Sequence, residues 1–325
     1  MHLSGSHGNA TEQSAKRIAL GQRLFNDPEL SADGKIRCAS CHQPEKTYSD
    51  GRRVAIGVFE RTGTRNTPSL AILGDAKDSS FFWDGRRTHL EQAVIDPLTN
   101  PMEMGLSSLR EVTQKITNNA EYRKSFAEAF PHNGGNVSAD DIAAALATYV
   151  RSLNLPASRY DRYSAQHDNS ALNASAQMGL AIFRGKGGCA DCHLLNGSPA
   201  MFTDHGYHRT GVGMDAVNAE LPSLTEAIVQ RSLRDEAIGN RVASREDEAQ
   251  LGRFNVTRDP ADIGLFRTPS LRSVASTAPY MHDGSIPTLE GAIDREIYYR
   301  GLQSGHPLNL SVEDRAALKA FLESL

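Results

Sequence analysis

The sequence predicts a mainly α-helical protein built from two domains of the same design. Three observations support this prediction: short motifs occur twice in the same order, apolar residues near the end of each half recur with helical spacing, and strand-like alternation is scarce. Turn-forming stretches rich in Gly, Pro, Asn and Asp, such as residues 196–199, are frequent. We therefore expect helices joined by long loops, with one domain at residues 11–160 and the other at residues 161–325.

An internal repeat extends over most of the chain. Residues 21–25 resemble residues 179–183, residues 67–70 recur as residues 268–271, and residues 83–85 correspond to residues 282–284. In the second half, the segment between matched motifs is about 50 residues longer. We therefore predict an inserted region at residues 204–264, which either shapes a partner surface or simply elaborates the domain.

Each half ends in a predicted core helix. Ser138 and Ser311 each precede an acidic residue by three positions, which is typical of a helix N-terminus. The apolar residues that follow share one helical face, which we expect to be buried. They are Ile142, Ala145, Leu146, Tyr149 and Val150 in the first half and Ala317, Leu318, Phe321 and Leu322 in the second.

The motif Cys-x-x-Cys-His occurs twice and uses all four cysteines. The copies comprise Cys38, Cys41 and His42, and Cys189, Cys192 and His193. Two thiols at this spacing can each form a thioether with a haem vinyl group, and the adjoining His then becomes an axial ligand of the iron. A zinc knuckle or a dithiol redox site could explain one isolated pair, but these pairs lie about 150 residues apart and both precede His. The motifs predict two covalently bound haem c groups and a redox function.

Composition excludes several kinds of partner. A formal net charge of −4 provides no electrostatic surface for nucleic acid, and no run of residues is apolar enough to predict membrane insertion. Residues 1–10 lack the basic and then apolar pattern of a signal peptide. Because haem attachment to this motif normally takes place outside the bacterial cytoplasm, we expect a periplasmic protein whose signal peptide has been removed.

Four further motifs accompany the haem motifs in a fixed order. They are Arg65-Asn66-Thr67-Pro68-Ser69-Leu70, Phe82-Trp83-Asp84-Gly85-Arg86, Asn100-Pro101-Met102-Glu103-Met104-Gly105 and Thr277-Ala278-Pro279-Tyr280-Met281-His282-Asp283-Gly284. With these motifs the chain resembles the bacterial di-haem cytochrome c peroxidase superfamily, which includes MauG and MbnH, over nearly its whole length. The resemblance implies two cytochrome c-like domains, each a helical bundle whose long loops wrap one covalent c-type haem.

The resemblance also implies a peroxide-reactive site at the first haem. Glu103 is the candidate that moves a proton between the two peroxide oxygens, and Gln92 and Pro97 are expected to line the same distal pocket. Trp83, the only tryptophan, is implied to lie between the haems and to relay electrons. The alternatives are that Glu103 is an exposed acid at a helix start and that Trp83 only packs in the core.

The axial ligands distinguish branches of the superfamily. Members that require reductive activation carry a second His on the first haem, whereas this chain has no His between His42 and His89, so we expect a five-coordinate first haem. Other members ligate the second haem with Met, but residues 288–301 contain none. MauG-like members have Tyr in a Tyr-x-Arg-Gly pattern, which makes Tyr298 the predicted ligand, with Tyr299 and Tyr280 as alternatives.

Calcium and a function also follow from the resemblance. It implies a Ca²⁺ between the domains, bound by the Asn66 side chain and the carbonyls of Thr277 and Pro279. The leading hypothesis is a periplasmic enzyme that uses hydrogen peroxide to form a high-valent two-haem state and oxidises a partner protein, whose tryptophan it modifies if it is MauG-like or MbnH-like. One alternative is a peroxidase that detoxifies hydrogen peroxide with small redox-protein donors. The other is an electron carrier with two six-coordinate haems, which the missing distal His disfavours.

Overall fold

The computed structural model describes residues 5–71, 73, 80–232 and 238–325, and it confirms the mainly helical prediction. The helices of the first half are α1 (Gly5–Phe25), α2 (Cys38–Cys41), α3 (Leu90–Thr99), α4 (Leu109–Asn118), α5 (Ala120–Ala129) and α6 (Ala139–Ser152). Those of the second half are α7 (Arg159–Ala165), α8 (Ala174–Arg184), α9 (Met214–Val217), α10 (Leu221–Ser232), α11 (Ile238–Ser244), α12 (Glu246–Ala249), α13 (Phe254–Thr257), α14 (Leu289–Ser304) and α15 (Val312–Leu322). Strand β1 (Tyr207–Arg209) pairs antiparallel with β2 (Leu265–Arg267), with His208 opposite Phe266.

The same helix pair forms the centre of both halves. Helix α1 packs along α6 in the first half, and α8 packs along α15 in the second. A Cβ atom on Gly21 would collide with the carbonyl oxygen of Ala145, and one on Gly179 would collide with that of Ala317. The repeated glycine therefore permits the close contact of the two helices in each half.

The predicted closing helices begin and pack as expected. The hydroxyl of Ser138 accepts a hydrogen bond from the amide of Asp141, and Ser311 does the same with Asp314, so both capping boxes form. All nine apolar residues predicted to face the core are buried. Two hydrophobic cores result, one between residues 20 and 153 and the other between residues 160 and 325.

The inserted region packs against the first half of the chain. Val217, Leu224, Ile228, Leu251 and Phe254 give it a small core of its own. Three hydrogen bonds join it to the first half: the Thr64 hydroxyl donates to the Val242 carbonyl at 2.5 Å, Arg65 Nη2 donates to the Ala249 carbonyl at 2.9 Å, and Arg253 Nη1 donates to the Gly85 carbonyl at 2.9 Å. The insertion thus fastens the two halves together. Within the described residues, no helix is long and apolar enough to cross a membrane.

A buried ion cluster lies at this junction. Asp84 is 0% exposed, and its carboxylate accepts hydrogen bonds from Arg65 Nη1 at 2.8 Å and Arg86 Nη1 at 3.1 Å. Burial alone would raise the pKa of Asp84, but the two guanidinium groups outweigh it and hold the pKa below its ordinary value of 3.8. The ionised carboxylate is therefore the partner that both arginines require.

Asp84→Asn should destabilise the protein by about 3–5 kcal/mol, because it leaves two buried guanidinium groups without their counterion. Equilibrium unfolding in denaturant measures the loss. Glu91→Gln is the matched control, since it breaks the exposed Arg151–Glu91 pair (2.6 Å), which should cost about 0–1 kcal/mol. Equal losses in the two variants would contradict a dominant role for Asp84.

Candidate functional site

Two cavities of similar size occupy the two halves of the molecule. Their volumes are about 240 Å³ and 230 Å³, and each is lined by one complete Cys-x-x-Cys-His motif. The motif residues are Cys38, Cys41 and His42 in the first cavity and Cys189, Cys192 and His193 in the second. Because the two cysteine pairs line different cavities, a zinc site that gathers all four thiols is excluded.

Both motif histidines are oriented in the same way. The Nδ1 atom of His42 lies 2.9 Å from the carbonyl oxygen of Tyr48, and Nδ1 of His193 lies 2.9 Å from that of Phe202. A carbonyl can only accept, so Nδ1 carries the proton and Nε2 keeps its lone pair. Burial lowers the pKa of His42, and it lowers that of His193 to about 4. Both rings are therefore neutral and able to bind a metal through Nε2.

The thiols are poorly suited to act as free thiolates. Burial raises the pKa of Cys38 and Cys41 to about 12 and that of Cys189 to about 11. Dithiol redox sites need a lowered thiol pKa, whereas thioether formation leaves no ionisable thiol. The surroundings of the cysteines thus favour covalent haem attachment.

Buried arginines give an independent test of whether a haem fits. The Nε atoms of Arg65 and Arg86 are buried and have no hydrogen-bond partner among the described residues, and both side chains line the first cavity. A buried donor without an acceptor is costly, and an anionic carboxylate in the cavity would supply one. Haem carries two propionates, so the residues present fit this group.

Helix α3 forms one wall of the first cavity. Leu90, Ala93, Val94 and Pro97 line it, at spacings of three and four residues that place them on one helical face. Pro97 is therefore in the predicted pocket. Gln92 lies on another face and is exposed, so the prediction that it lines the distal pocket is wrong. On the face of α3 that lines the cavity, the residue one turn before Pro97 is Ala93.

Glu103 lines the first cavity, in the chain segment that follows α3. Its position is held by the backbone, since its amide donates to the Asn100 carbonyl at 3.0 Å and its own carbonyl accepts from the Val58 amide at 2.8 Å. Burial raises the pKa of the Glu103 carboxyl above its ordinary value of 4.5, an effect that nearby Arg86 opposes and Asp96 reinforces. The carboxyl thus belongs to the cavity wall and holds its proton more tightly than an exposed glutamate does. Within the described part of the chain, His42 is the only histidine that lines this cavity.

Trp83 lines both cavities. Its indole Nε1 donates a hydrogen bond to the Asn66 carbonyl at 2.9 Å, and its own carbonyl accepts from the Arg267 amide at 2.8 Å. These bonds hold the ring at the boundary of the two halves, next to the buried Asp84. Trp83 therefore borders both cavities, and its role as a relay between two haems stays a prediction.

Tyr298, the predicted ligand of the second haem, does not reach the second cavity. Its side chain is 60% exposed, and neither Tyr298 nor Tyr299 lines the cavity wall. The prediction is wrong for Tyr298 because it lies on the outer face of α14, and the ring of Tyr299 lies against Gly211 of the inserted region instead. Tyr280 does line the cavity, but its hydroxyl donates to the Val274 carbonyl at 3.1 Å.

The sequence analysis missed Glu296. Helix α14 turns Leu289, Ala292, Ile293, Glu296, Ile297 and Arg300 toward the second cavity. Burial raises the pKa of Glu296, and the nearby Arg300 and Arg295 partly offset this effect. Glu296 follows Leu289 and Ile293 at helical spacing, and this spacing is the signal that could have identified it. The Tyr-x-Arg-Gly pattern pointed to Tyr298 instead.

The three residues expected to bind calcium all belong to the wall of the second cavity. Asn66, Thr277 and Pro279 all line it, and Asn66 also lines the first. The Asn66 amide donates to the His282 carbonyl at 2.9 Å, and its Nδ2 donates to the Arg52 carbonyl at 2.9 Å. Because Nδ2 is engaged, Oδ1 is the side-chain atom that can act as an oxygen ligand.

Comparison with known proteins gives consistent results. A family model described as di-haem cytochrome c peroxidase matches residues 15–169. The chain is 33% identical to the methylamine utilization protein MauG of Methylorubrum extorquens, over 98% of this chain and 80% of that protein. It is also 33% identical to the cytochrome-c peroxidase IdrP2 of Denitromonas iodatirespirans, over 96% of this chain and 82% of that protein.

Solved structures resemble the fold over nearly the whole chain. One is a MauG-like protein associated with microbial copper homeostasis, with a TM-score of 0.76, 32% identity and coverage of 95% of this chain and 89% of that chain. Another is the diheme peroxidase BthA from Burkholderia thailandensis, with a TM-score of 0.68, 26% identity and coverage of 95% and 85%.

Trp83 fluorescence should be strongly quenched in the haem-loaded protein, because energy transfer from an indole to a haem at contact distance is efficient. Quenching should persist in both single-haem variants, Cys38→Ser/Cys41→Ser and Cys189→Ser/Cys192→Ser, since Trp83 lines both cavities. Unfolding the loaded protein in denaturant should restore emission, and free tryptophan mixed with equal haem serves as the control. Bright emission from either folded variant would contradict the placement of Trp83 between the sites.

Proposed function

The chain belongs to the di-haem cytochrome c peroxidase family that includes MauG, a family of haem oxidoreductases, and we propose that it reduces hydrogen peroxide at the first cavity with electrons drawn from a partner protein. Each hydrogen peroxide would take up two electrons and two protons and yield two water molecules. The family generally works in the periplasm, and we propose the same location for this protein.

The main support is the composition of the first cavity. His42 is the one histidine among its described lining residues, and a raised-pKa carboxyl, Glu103, is present in the same space. A haem held there by Cys38, Cys41 and His42 would supply the redox chemistry, since it could react with peroxide and could accept and pass on electrons. An electron carrier would need a second protein ligand at this site, and among the described lining residues only the thioethers of Met102 and Met104 could take the place of a second histidine.

The protein's own residues would move the protons and the electrons. Glu103 in its ionised form would take a proton from one peroxide oxygen and deliver it to the other, the leaving oxygen. Trp83 lines both cavities, so its oxidisable indole would connect the two redox sites. Arg65 and Arg86, each with a buried Nε that lacks a partner, would hold the haem propionates.

Two forms of this function are supported by different observations. The lack of a second histidine at the first cavity and the TM-score of 0.76 to a MauG-like protein favour an enzyme that is active without prior reduction and oxidises a specific protein, with modification of its tryptophan as the MauG-like outcome. The equal identity to the peroxidase IdrP2 favours a detoxifying peroxidase that uses small redox proteins.

Stopped-flow spectra of the fully oxidised protein mixed with hydrogen peroxide test the proposal. We expect both haem spectra to change without prior reduction, and slow oxidation of reduced cytochrome c would then favour the MauG-like form. Rapid turnover of reduced cytochrome c would favour the detoxifying form. A protein that reacts only after reduction would contradict an open first site, and one that never reacts would contradict the peroxidase function.

Glu103→Gln should slow the reaction with peroxide by about 10²–10⁴-fold, because the amide keeps the shape but cannot carry the proton. In the parent protein the rate should rise with pH through an acid pKa above the ordinary 4.5, since burial raises the pKa and only the ionised form accepts a proton. The variant should lose this rise. Gln92→Ala, at an exposed position outside the cavity, is the control that should react normally. An unchanged rate in Glu103→Gln would remove Glu103 from the mechanism.

We also propose that the protein binds a structural Ca²⁺ through Asn66 Oδ1 and the carbonyls of Thr277 and Pro279, with water completing the coordination. Elemental analysis of the purified protein after dialysis against metal-free buffer should find calcium in the parent and none in Asn66→Ala. Asn136→Ala, at an exposed position, should retain it. Absence of calcium from the parent protein would contradict this site.

A further inference from the structure

The second cavity requires an explanation of its own, because the tyrosine predicted to complete it is on the wrong face of α14. This inference shares one assumption with the proposed function, namely that a haem is bound in the second cavity by Cys189, Cys192 and His193. What remains to be identified is the side chain that faces the iron from the side away from His193.

The geometry of α14 restricts the choice. Of the six α14 residues that line the cavity, four are Leu, Ile or Ala, which have no ligand atom. Arg300 is permanently protonated and has no lone pair to donate. Glu296 alone on this face offers an oxygen that can bind iron.

Apart from His193, the tyrosine and histidine side chains that line this cavity are already hydrogen-bonded. Their pairs are Tyr280 Oη with the Val274 carbonyl at 3.1 Å, His208 Nε2 with Asp204 Oδ2 at 2.7 Å, and His282 Nε2 with Gln250 Oε1 at 2.6 Å. The ring of His282 is also stacked on Phe266, with centroids 3.6 Å apart. Met281 also lines the cavity, from a loop, and its thioether is the alternative ligand that the variant Met281→Leu tests.

The surroundings of Glu296 suit an anionic ligand. Its nearest cation is Arg300, whose Nε lies 3.7 Å from Oε2, which is an ion pair but too long for a good hydrogen bond. A carboxylate in a largely apolar cavity is costly unless a further positive charge compensates it. A ferric iron would provide that charge.

We propose that the carboxylate of Glu296 is the axial protein ligand of the second haem, opposite His193. A carboxylate is a hard anionic oxygen donor, so it would stabilise the oxidised forms of the iron over the ferrous form, whereas a thioether would favour the reduced form. The second haem of this protein would therefore resemble a tyrosinate-ligated haem in its preference for the oxidised state, although a different residue type supplies the oxygen.

Spectroscopy of the oxidised, haem-loaded protein tests the assignment. Electron paramagnetic resonance and near-infrared magnetic circular dichroism should show a second haem without the sulfur-to-iron transition of a Met ligand. In Glu296→Gln, the signals of the second haem should disappear and give way to those of a haem with a different ligand. The signals of the first haem should stay unchanged. Glu296→Met should introduce the sulfur-to-iron transition and make the reduction potential of the second haem more positive.

Tyr298→Phe is the matched control, because it alters an exposed residue on the outer face of the same helix and should change no signal. The proposal is overturned if Glu296→Gln and Glu296→Met both retain the parent spectrum. It is also overturned if Tyr280→Phe, His208→Gln, Met281→Leu or Tyr298→Phe abolishes the signals of the second haem. Covalent haem content is measured on each variant, so that loss of the haem is not mistaken for loss of its ligand. If the proposed function itself is wrong, the parent protein will carry fewer than two haems or will not react with peroxide.

Discussion

The arrangement of the two sites depends on the ion pairs that the buried carboxylate of Asp84 forms. The carboxylate neutralises Arg65 and Arg86 in a region where neither guanidinium could remain unpaired, and Arg65 in turn binds a carbonyl of the inserted region. Trp83 precedes Asp84 in the chain, so the ion cluster also sets the position of the indole at the boundary of both cavities. The proposed electron exchange between the cavities would depend on this placement, because a redox relay works only at a short distance from both partners.

The repeat builds the same binding framework twice but completes it differently. In both halves a glycine permits close helix packing, a Cys-x-x-Cys-His motif lines a cavity, and a backbone carbonyl orients the motif histidine. The remaining walls differ, since α3 and Glu103 complete the first cavity while α14, with Glu296 and Arg300, completes the second. One framework can thus hold one haem that is open to peroxide and another that is closed by a protein ligand.

The direction in which a side chain leaves its helix explains why two predictions, those for Gln92 and Tyr298, are wrong. The family resemblance implies roles for Gln92 and Tyr298, and each lies on a helix that does line a cavity. A shift of one or two residues along a helix turns a side chain by 100° or 200°, so a motif with a small change in spacing can place its residue outside the pocket. Ala93 and Glu296 occupy the cavity-facing positions instead.

The sequence by itself determined the cofactor, the duplicated design, the closing helices and the family. These features depend on residues that are adjacent or a few positions apart in the chain. Their chemistry or periodicity can therefore be recognised without knowledge of the fold. Only the tertiary structure decided that the insertion at residues 204–264 fastens the halves together, that Trp83 borders both cavities, and which residues face each iron site. Those relations join segments up to 193 residues apart, as in the Arg53–Glu246 pair, and side-chain packing rather than local spacing sets them.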